Sequence, residues 1–211
     1  MEKEKNKILI EVAGYYSSKL SEFGSTPKGV DWNGEVSQVE RFAQLCKIID
    51  MSKAFSLNDL GCGYGALFEY LKTFAVNFEY LGIDVSGEMI AAAKKKIDND
   101  PRARFLVASE PDKSADFGVA SGIFNVRLGR SDDEWIEYLT ESLEVLDKTS
   151  RKGFSFNCLT SYSDADKKRD YLYYADPMVI FDICKRKFSR NVALLHDYGL
   201  YEFTILVRKD L

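Results

Sequence analysis

Asn58-Asp59-Leu60-Gly61-Cys62-Gly63-Tyr64-Gly65-Ala66 is the stretch that decides how this 211-residue chain folds. An apolar run from Ala54 to Leu60 reaches three alternating glycines, and a helical pattern from Ala66 to Phe74 starts directly after them. The pattern predicts a strand, a tight turn and a helix start. That arrangement points backbone N–H groups and the positive end of a helix at a ligand. Glycine suits such a turn because it adopts positive φ freely and lets the backbone approach a ligand closely.

Outward from the turn the chain alternates. A strand over Phe55–Leu60 and a helix after Gly65 are followed by a second strand, Phe78 to Ile83, that ends at Asp84. Ser86 is a helix cap for Gly87 to Ile97. Arg104 to Ala108 and Phe117 to Ser121 read as the third and fourth strands. Ser131-Asp132-Asp133-Glu134 has the form of a capping box, with Trp135, Ile136, Leu139, Leu143 and Leu146 as the apolar face behind it. Gly153 to Leu159 is a fifth strand, Asp176-Pro177 opens another helix, and Arg190 to Leu195 and Glu202 to Arg208 form a terminal hairpin. Alternating strands and helices predict a parallel sheet covered on both faces. Ligands bind such sheets beyond the carboxyl ends of the strands.

Before the first strand, Ile8 to Phe23 and a segment carrying Val39, Phe42, Cys46 and Ile49 show helical spacing, separated by a loop through Trp32. Residues 1–50 are therefore expected to be a helical extension packed on a domain of residues 51–211.

Composition narrows the function. A net charge of −4 and a pI near 5.2 leave no electrostatic footprint for nucleic acid. The basic triplets at 94–96, 167–169 and 185–187 read as solvated helix faces or helix ends. Four scattered cysteines and one histidine offer no metal site. No run approaches membrane-spanning length. The expectation is a reduced, cytoplasmic protein with no membrane or nucleic-acid partner and no metal.

The glycine spacing alone leaves the ligand open. Gly61, Gly63 and Ala66 fit a dinucleotide fingerprint, and Asp84 sits near the distance expected of a ribose-binding acid. An NAD(P)-dependent oxidoreductase is thus one reading. Asp59, placed two residues before the first glycine, the third glycine Gly65, and the terminal hairpin favour another. Asp59-Leu60-Gly61-Cys62-Gly63-Tyr64-Gly65 followed by Leu81-Gly82-Ile83-Asp84-Val85-Ser86 resembles the class I S-adenosylmethionine (SAM)-dependent methyltransferases. The resemblance covers about Phe55 to Leu211.

The resemblance implies an α/β, Rossmann-like three-layer sandwich with seven strands ordered 3-2-1-4-5-7-6, the last antiparallel. It also implies SAM as methyl donor and S-adenosylhomocysteine (SAH) as product. Asp59 would meet the methionyl ammonium, and Gly61, Cys62, Gly63 and Gly65 would form the cradle. Asp84 would accept from the ribose hydroxyls, Val85 and Met89 would flank adenine, and Ser109 or Glu110 would read its amino group. Ser121 and Gly122 would pass beneath the reacting methyl. Asn/Asp-Pro-Pro-Tyr/Phe, the motif of amino-methylating nucleic-acid enzymes, is absent from Ser121-Gly122-Ile123-Phe124-Asn125.

Methyl transfer from a sulfonium is an in-line displacement from an activated donor, so positioning supplies much of the catalysis. A base is needed only for an acceptor that is protonated in its reactive form. His196 is the candidate base, with a loop histidine as the plainer alternative. Trp32, Asn125, Tyr162, Tyr173 and Tyr174 are candidates for an acceptor pocket, since tyrosine joins an apolar ring to a polar tip. Arg41 is a candidate partner for the methionyl carboxylate, and Gln38 for closure over the cofactor. The expected acceptor is a small molecule. A SAM- or SAH-binding module without transfer activity is the remaining alternative, and nothing in the sequence addresses oligomeric state.

Overall fold

The computed structural model describes residues 2–32 and 34–209; Met1, Asn33, Asp210 and Leu211 lie outside the described residues. Seven strands form one sheet: β1 (Phe55–Leu60), β2 (Phe78–Asp84), β3 (Ala103–Val107), β4 (Ala115–Ala120), β5 (Ser150–Leu159), β6 (Asn191–Leu195) and β7 (Glu202–Arg208). Their order is β3-β2-β1-β4-β5-β7-β6. β7 runs antiparallel to β5 and to β6, and the other pairings are parallel. The expected fold class, strand order and terminal hairpin are all present.

Among the described residues six helices accompany the sheet: α1 (Glu2–Phe23), α2 (Glu35–Cys46), α3 (Ala66–Phe74), α4 (Gly87–Ile97), α5 (Asp132–Thr149) and α6 (Pro177–Lys187). A short 3-10 turn, Pro27–Val30, falls where the sequence suggested an irregular loop. The three forecast caps are formed, that of Ser86 on α4 among them. Ser131 and Glu134 exchange the reciprocal bonds of a capping box, and the Asp176 carboxylate accepts from the N–H groups of Met178 and Val179.

The alternation of the strands divides the core into two layers. On β7, Phe203, Ile205 and Val207 face Trp135, Leu139 and Leu143 of α5, and Ile8 and Val12 of α1 join this layer. Leu206 faces the opposite side with Phe42 and Leu45 of α2 and Phe68 and Leu71 of α3. Successive strand residues point to opposite faces, so one strand supplies both layers. The residue spacing of the amino-terminal segment is thus met by two helices on opposite faces of the sheet.

At the carboxyl end of β1 the chain turns at Gly61, with φ of +78°. A Cβ there would lie 2.1 Å from Cγ2 of Ile123, so Gly61 is needed for both conformation and space. The N–H groups of Gly61 and Cys62 donate to the Ile83 carbonyl at 2.7 and 2.9 Å, which ties the turn to β2.

Candidate active site

A cavity opens above the carboxyl ends of β1, β2 and β4. Asp59, Gly61, Cys62, Gly63, Asp84 and Val85 line its floor and sides, with Met89, Ser109, Ser121 and Gly122 beside them. Asp59 is buried, being 2% exposed, and its Oδ2 accepts from the Tyr80 hydroxyl at 2.5 Å. No cationic side chain meets it in any of the ion pairs formed by the described residues. Burial pushes the Asp59 carboxyl up to about 7, opposed by the Tyr80 bond and reinforced by the charge of Asp84.

Asp84 stands at the end of β2 and is held from two sides. Its Oδ2 accepts from the Gly63 N–H at 2.9 Å and its Oδ1 from the Ser86 N–H at 2.8 Å. Burial raises its pKa, and these backbone bonds act in the opposite direction. The Gly63 bond couples the glycine turn to the acid, so each fixes the other. Ser86 completes the corner by capping α4 through Met89 N–H at 3.1 Å.

The roof is built by the amino-terminal segment and was only partly legible in the sequence. Trp32 and Gln38 line the cavity as expected, and Val12, Tyr16, Val30 and Phe42 line it as well. Val12 and Tyr16 belong to the apolar spacing of α1, which reads as a packing face because periodicity does not distinguish a core from a cavity wall. Tyr64 is the fourth turn residue to line it, and its hydroxyl bonds the Gln38 amide at 3.0 Å. Ser121 presents a hydroxyl that is buried and has no hydrogen-bond partner among the described residues.

Several expected residues lie elsewhere. Gly65 is buried behind the turn, where a Cβ would lie 2.6 Å from Ile97, and serves the packing of α3 on α4. Glu110 is exposed and outside the lining, whereas its neighbours Ala108 and Ser109 line the cavity. Arg41 also stands outside the lining, and its guanidinium is engaged by Glu202 of β7. Two of its nitrogens, Nε and Nη2, donate to Glu202, and the third, Nη1, is buried with no hydrogen-bond partner among the described residues.

The residues expected for an acceptor pocket separate in the same way. Asn125 is buried, and its Oδ1 accepts from the Leu159 N–H at 3.1 Å, a structural bond that ties two strand ends together. Tyr162 is 70% exposed, and Tyr174 accepts from the Arg169 N–H at 3.0 Å. Tyr173 packs on the core, and its burial raises the phenol to about 12. His196 is exposed, with its ring centroid 6.0 Å from that of Tyr162 and 6.1 Å from that of Phe203. Of this group only Trp32 reaches the cavity. Sequence order placed the others near the carboxyl edge, but not on its inner side.

Similarity to known proteins converges on this geometry. The family described as "Methyltransferase domain" matches residues 58–149, which span β1 to α5. A protein of Mycobacterium tuberculosis named "Putative methyltransferase Rv1506c" is 58% identical over 163 residues, covering 77% of this chain and 98% of the relative. Among solved structures, the DhpI–SAH complex superposes with a TM-score of 0.65 at 15% identity, covering 96% of this chain and 98% of that one. The N-methyltransferase NodS of Bradyrhizobium japonicum WM9 with bound SAH gives 0.65 at 15% identity, covering 94% and 98%. The last two share the fold, and the mycobacterial relative supplies kinship in sequence. Together they place the chain in the class I S-adenosylmethionine-dependent methyltransferases.

Proposed function

We propose that the methyl acceptor is a small molecule bound beneath the roof of α1, Val30 and Trp32, and that Asp59 and Asp84 hold the donor. The observation that supports this most directly is the charge of the cavity. Among the described residues two carboxylates line it, and no Lys, Arg or His side chain does. A cationic, hydroxyl-rich ligand offers what those acids lack. The orphaned Ser121 hydroxyl and the close-set glycines fit the same group.

In this reading Asp59 faces the methionyl ammonium and Tyr80 fixes the carboxylate in place. Asp84, held rigid by Gly63 and Ser86, accepts from the ribose hydroxyls. Val85 and Met89 border the adenine end, with Ser109 as the polar residue in reach. Cys62 and Gly63 form the wall along the middle, and Ser121 and Gly122 form it on the β4 side. The bound sulfonium supplies an activated methyl group. The chain's own contribution is to orient the partners and to exclude water, which Trp32, Val30 and Phe42 do as apolar surface. Of the residues that line the cavity, the two carboxylates are claimed by the donor in this reading. Transfer therefore suits an acceptor whose lone pair is already available.

A nucleic-acid acceptor is disfavoured by the absence of basic lining residues and by the net charge of −4. Among the described residues no helix is long and apolar enough to cross a membrane, and a cytoplasmic location is consistent with four free, buried cysteines. The test is transfer of an isotopically labelled methyl group from SAM into a cell extract, followed by separation into low-mass, protein and nucleic-acid fractions. Label in the low-mass fraction is expected. Label confined to protein or nucleic acid would overturn the small-molecule reading.

A further inference from the structure

Behind the cavity wall lies a closed ring of contacts. The Gly122 N–H donates to Oδ1 of Asn157 at 2.8 Å. The Asn157 amide nitrogen donates to Oε2 of Glu202 at 2.6 Å. Arg41 donates to Glu202 from Nε, at 2.8 Å to each oxygen, and from Nη2 at 2.5 Å. The Arg41 guanidinium carbon in turn stands 4.6 Å from the centre of the Trp32 ring. The ring closes where Trp32 meets Gly122: a Cβ added at Gly122 would lie 3.2 Å from the indole. Trp32 and Gly122 line the cavity, and the three residues joining them do not.

The three joining residues are all deeply buried: Arg41 is 7% exposed, Glu202 2% and Asn157 0%. Removing both charges of an ion pair from water carries a penalty that their attraction does little more than offset, so stability alone is a weak reason to build one. Geometry is what such an arrangement supplies. An arginine fork against a carboxylate fixes distance and angle together, and its flat face stacks on an aromatic ring. The carboxylate orients the Asn157 amide, since its NH2 must face Glu202 and its oxygen must then face Gly122. At Gly122 itself, φ of +79° favours glycine.

We propose that Arg41, Glu202 and Asn157 are positioning residues that set the gap between the Trp32 wall and the Gly122 turn, and through it the fit of the cofactor. They link α2, β7 and β5 to the turn after β4 without touching the cavity. The proposal rests on the reading of Trp32 and Gly122 as walls of the cofactor site.

Arg41→Lys tests it, because lysine keeps the charge that Glu202 needs and loses the fork and the stacking face. Two quantities are read in the full chain: SAH affinity by calorimetry, and acrylamide quenching of Trp32 with the Trp32→Phe variant as the subtraction for Trp135. The expected result is SAH affinity weakened by about two- to thirtyfold, the range for residues that act through others, with Trp32 more readily quenched. If Arg41→Lys fails to fold, Arg41→Met/Glu202→Gln removes both charges and keeps an acceptor for Asn157, with the same expectation. Wild-type affinity and wild-type quenching in the folded variant would overturn the proposal. A wild-type protein that does not bind SAH would instead overturn the cofactor-site reading, and quenching of Trp32 still reports on the ring in that case.

Discussion

Asp59 and Glu202 are both acids buried to 2% exposure, and their surroundings are opposite. Glu202 is saturated: an arginine fork and an asparagine amide fill its oxygens. Asp59 receives one hydroxyl, from Tyr80, and no cation. A buried acid with its counter-charge supplied from within is part of the scaffold. A buried acid without one is an incomplete electrostatic site, completed by a ligand. The two lie in the same sheet, on β1 and β7, and in the reading proposed above the sheet uses Glu202 to hold its walls and Asp59 to hold the methyl donor.

The largest effect that sharpens this contrast is expected at the partner of Asp59. Asp84→Asn should weaken SAH affinity by about a hundredfold, since it replaces two hydrogen bonds to a charged acceptor by weaker ones to a neutral one, a loss of roughly 1–1.5 kcal/mol each. Calorimetric titration checks this, and a change below threefold would remove Asp84 from the ribose contact. Gly61→Ala should come next. It puts a Cβ 2.1 Å from Ile123 at a φ of +78°, and should lower stability by about 1–3 kcal/mol as well as cofactor affinity. Thermal unfolding with and without SAH separates the two losses, and an unchanged melting temperature would show that the turn relaxes freely.

Away from both acids the effects shrink. Ser131→Ala removes the capping box of α5 and should cost about 1 kcal/mol of stability, leaving SAH affinity as in the wild type. A weakened affinity would mean that α5 communicates with the cavity. Smallest of all, His196→Ala should leave methyl transfer unaltered, because the ring is exposed and outside the cavity. A marked loss of turnover with unaltered SAH affinity would restore it as a base.

The elements visible in advance are those written in neighbouring residues. Asp59 and the glycines lie within one strand–turn–helix, and Asp84 follows at the end of the next strand. Caps such as Ser131 with Glu134 are equally local. What the sequence hid depends on residues far apart in it. Arg41 and Glu202 are separated by 161 positions, so no spacing rule pairs them, and an isolated arginine near a cofactor site reads as a ligand for its carboxylate. The tyrosines after β5 looked like a pocket because that loop leaves the correct edge of the sheet. That loop is instead tied by backbone bonds to the segment after β4, through Tyr171 with Arg127 and Tyr173 with Asn125, while the cavity wall comes from α1, whose Val12 and Tyr16 were indistinguishable from ordinary core.

The contrast between the two acids is tested most directly by counting protons as the cofactor product binds. With its pKa raised to about 7, Asp59 is largely protonated in the free protein near pH 6, whereas in the unfolded chain it would ionise near 4. This group's stabilising effect on the free fold is therefore full below about 4, and is lost as pH rises through about 7. An ammonium placed beside it favours the carboxylate and expels the proton. Calorimetry of SAH binding at pH 6, in two buffers of different ionisation enthalpy, should show proton release by the wild type and markedly less by Asp59→Asn. Equal proton release by the two proteins, or none by the wild type, would contradict the assignment of Asp59 as the counter-charge of the ligand.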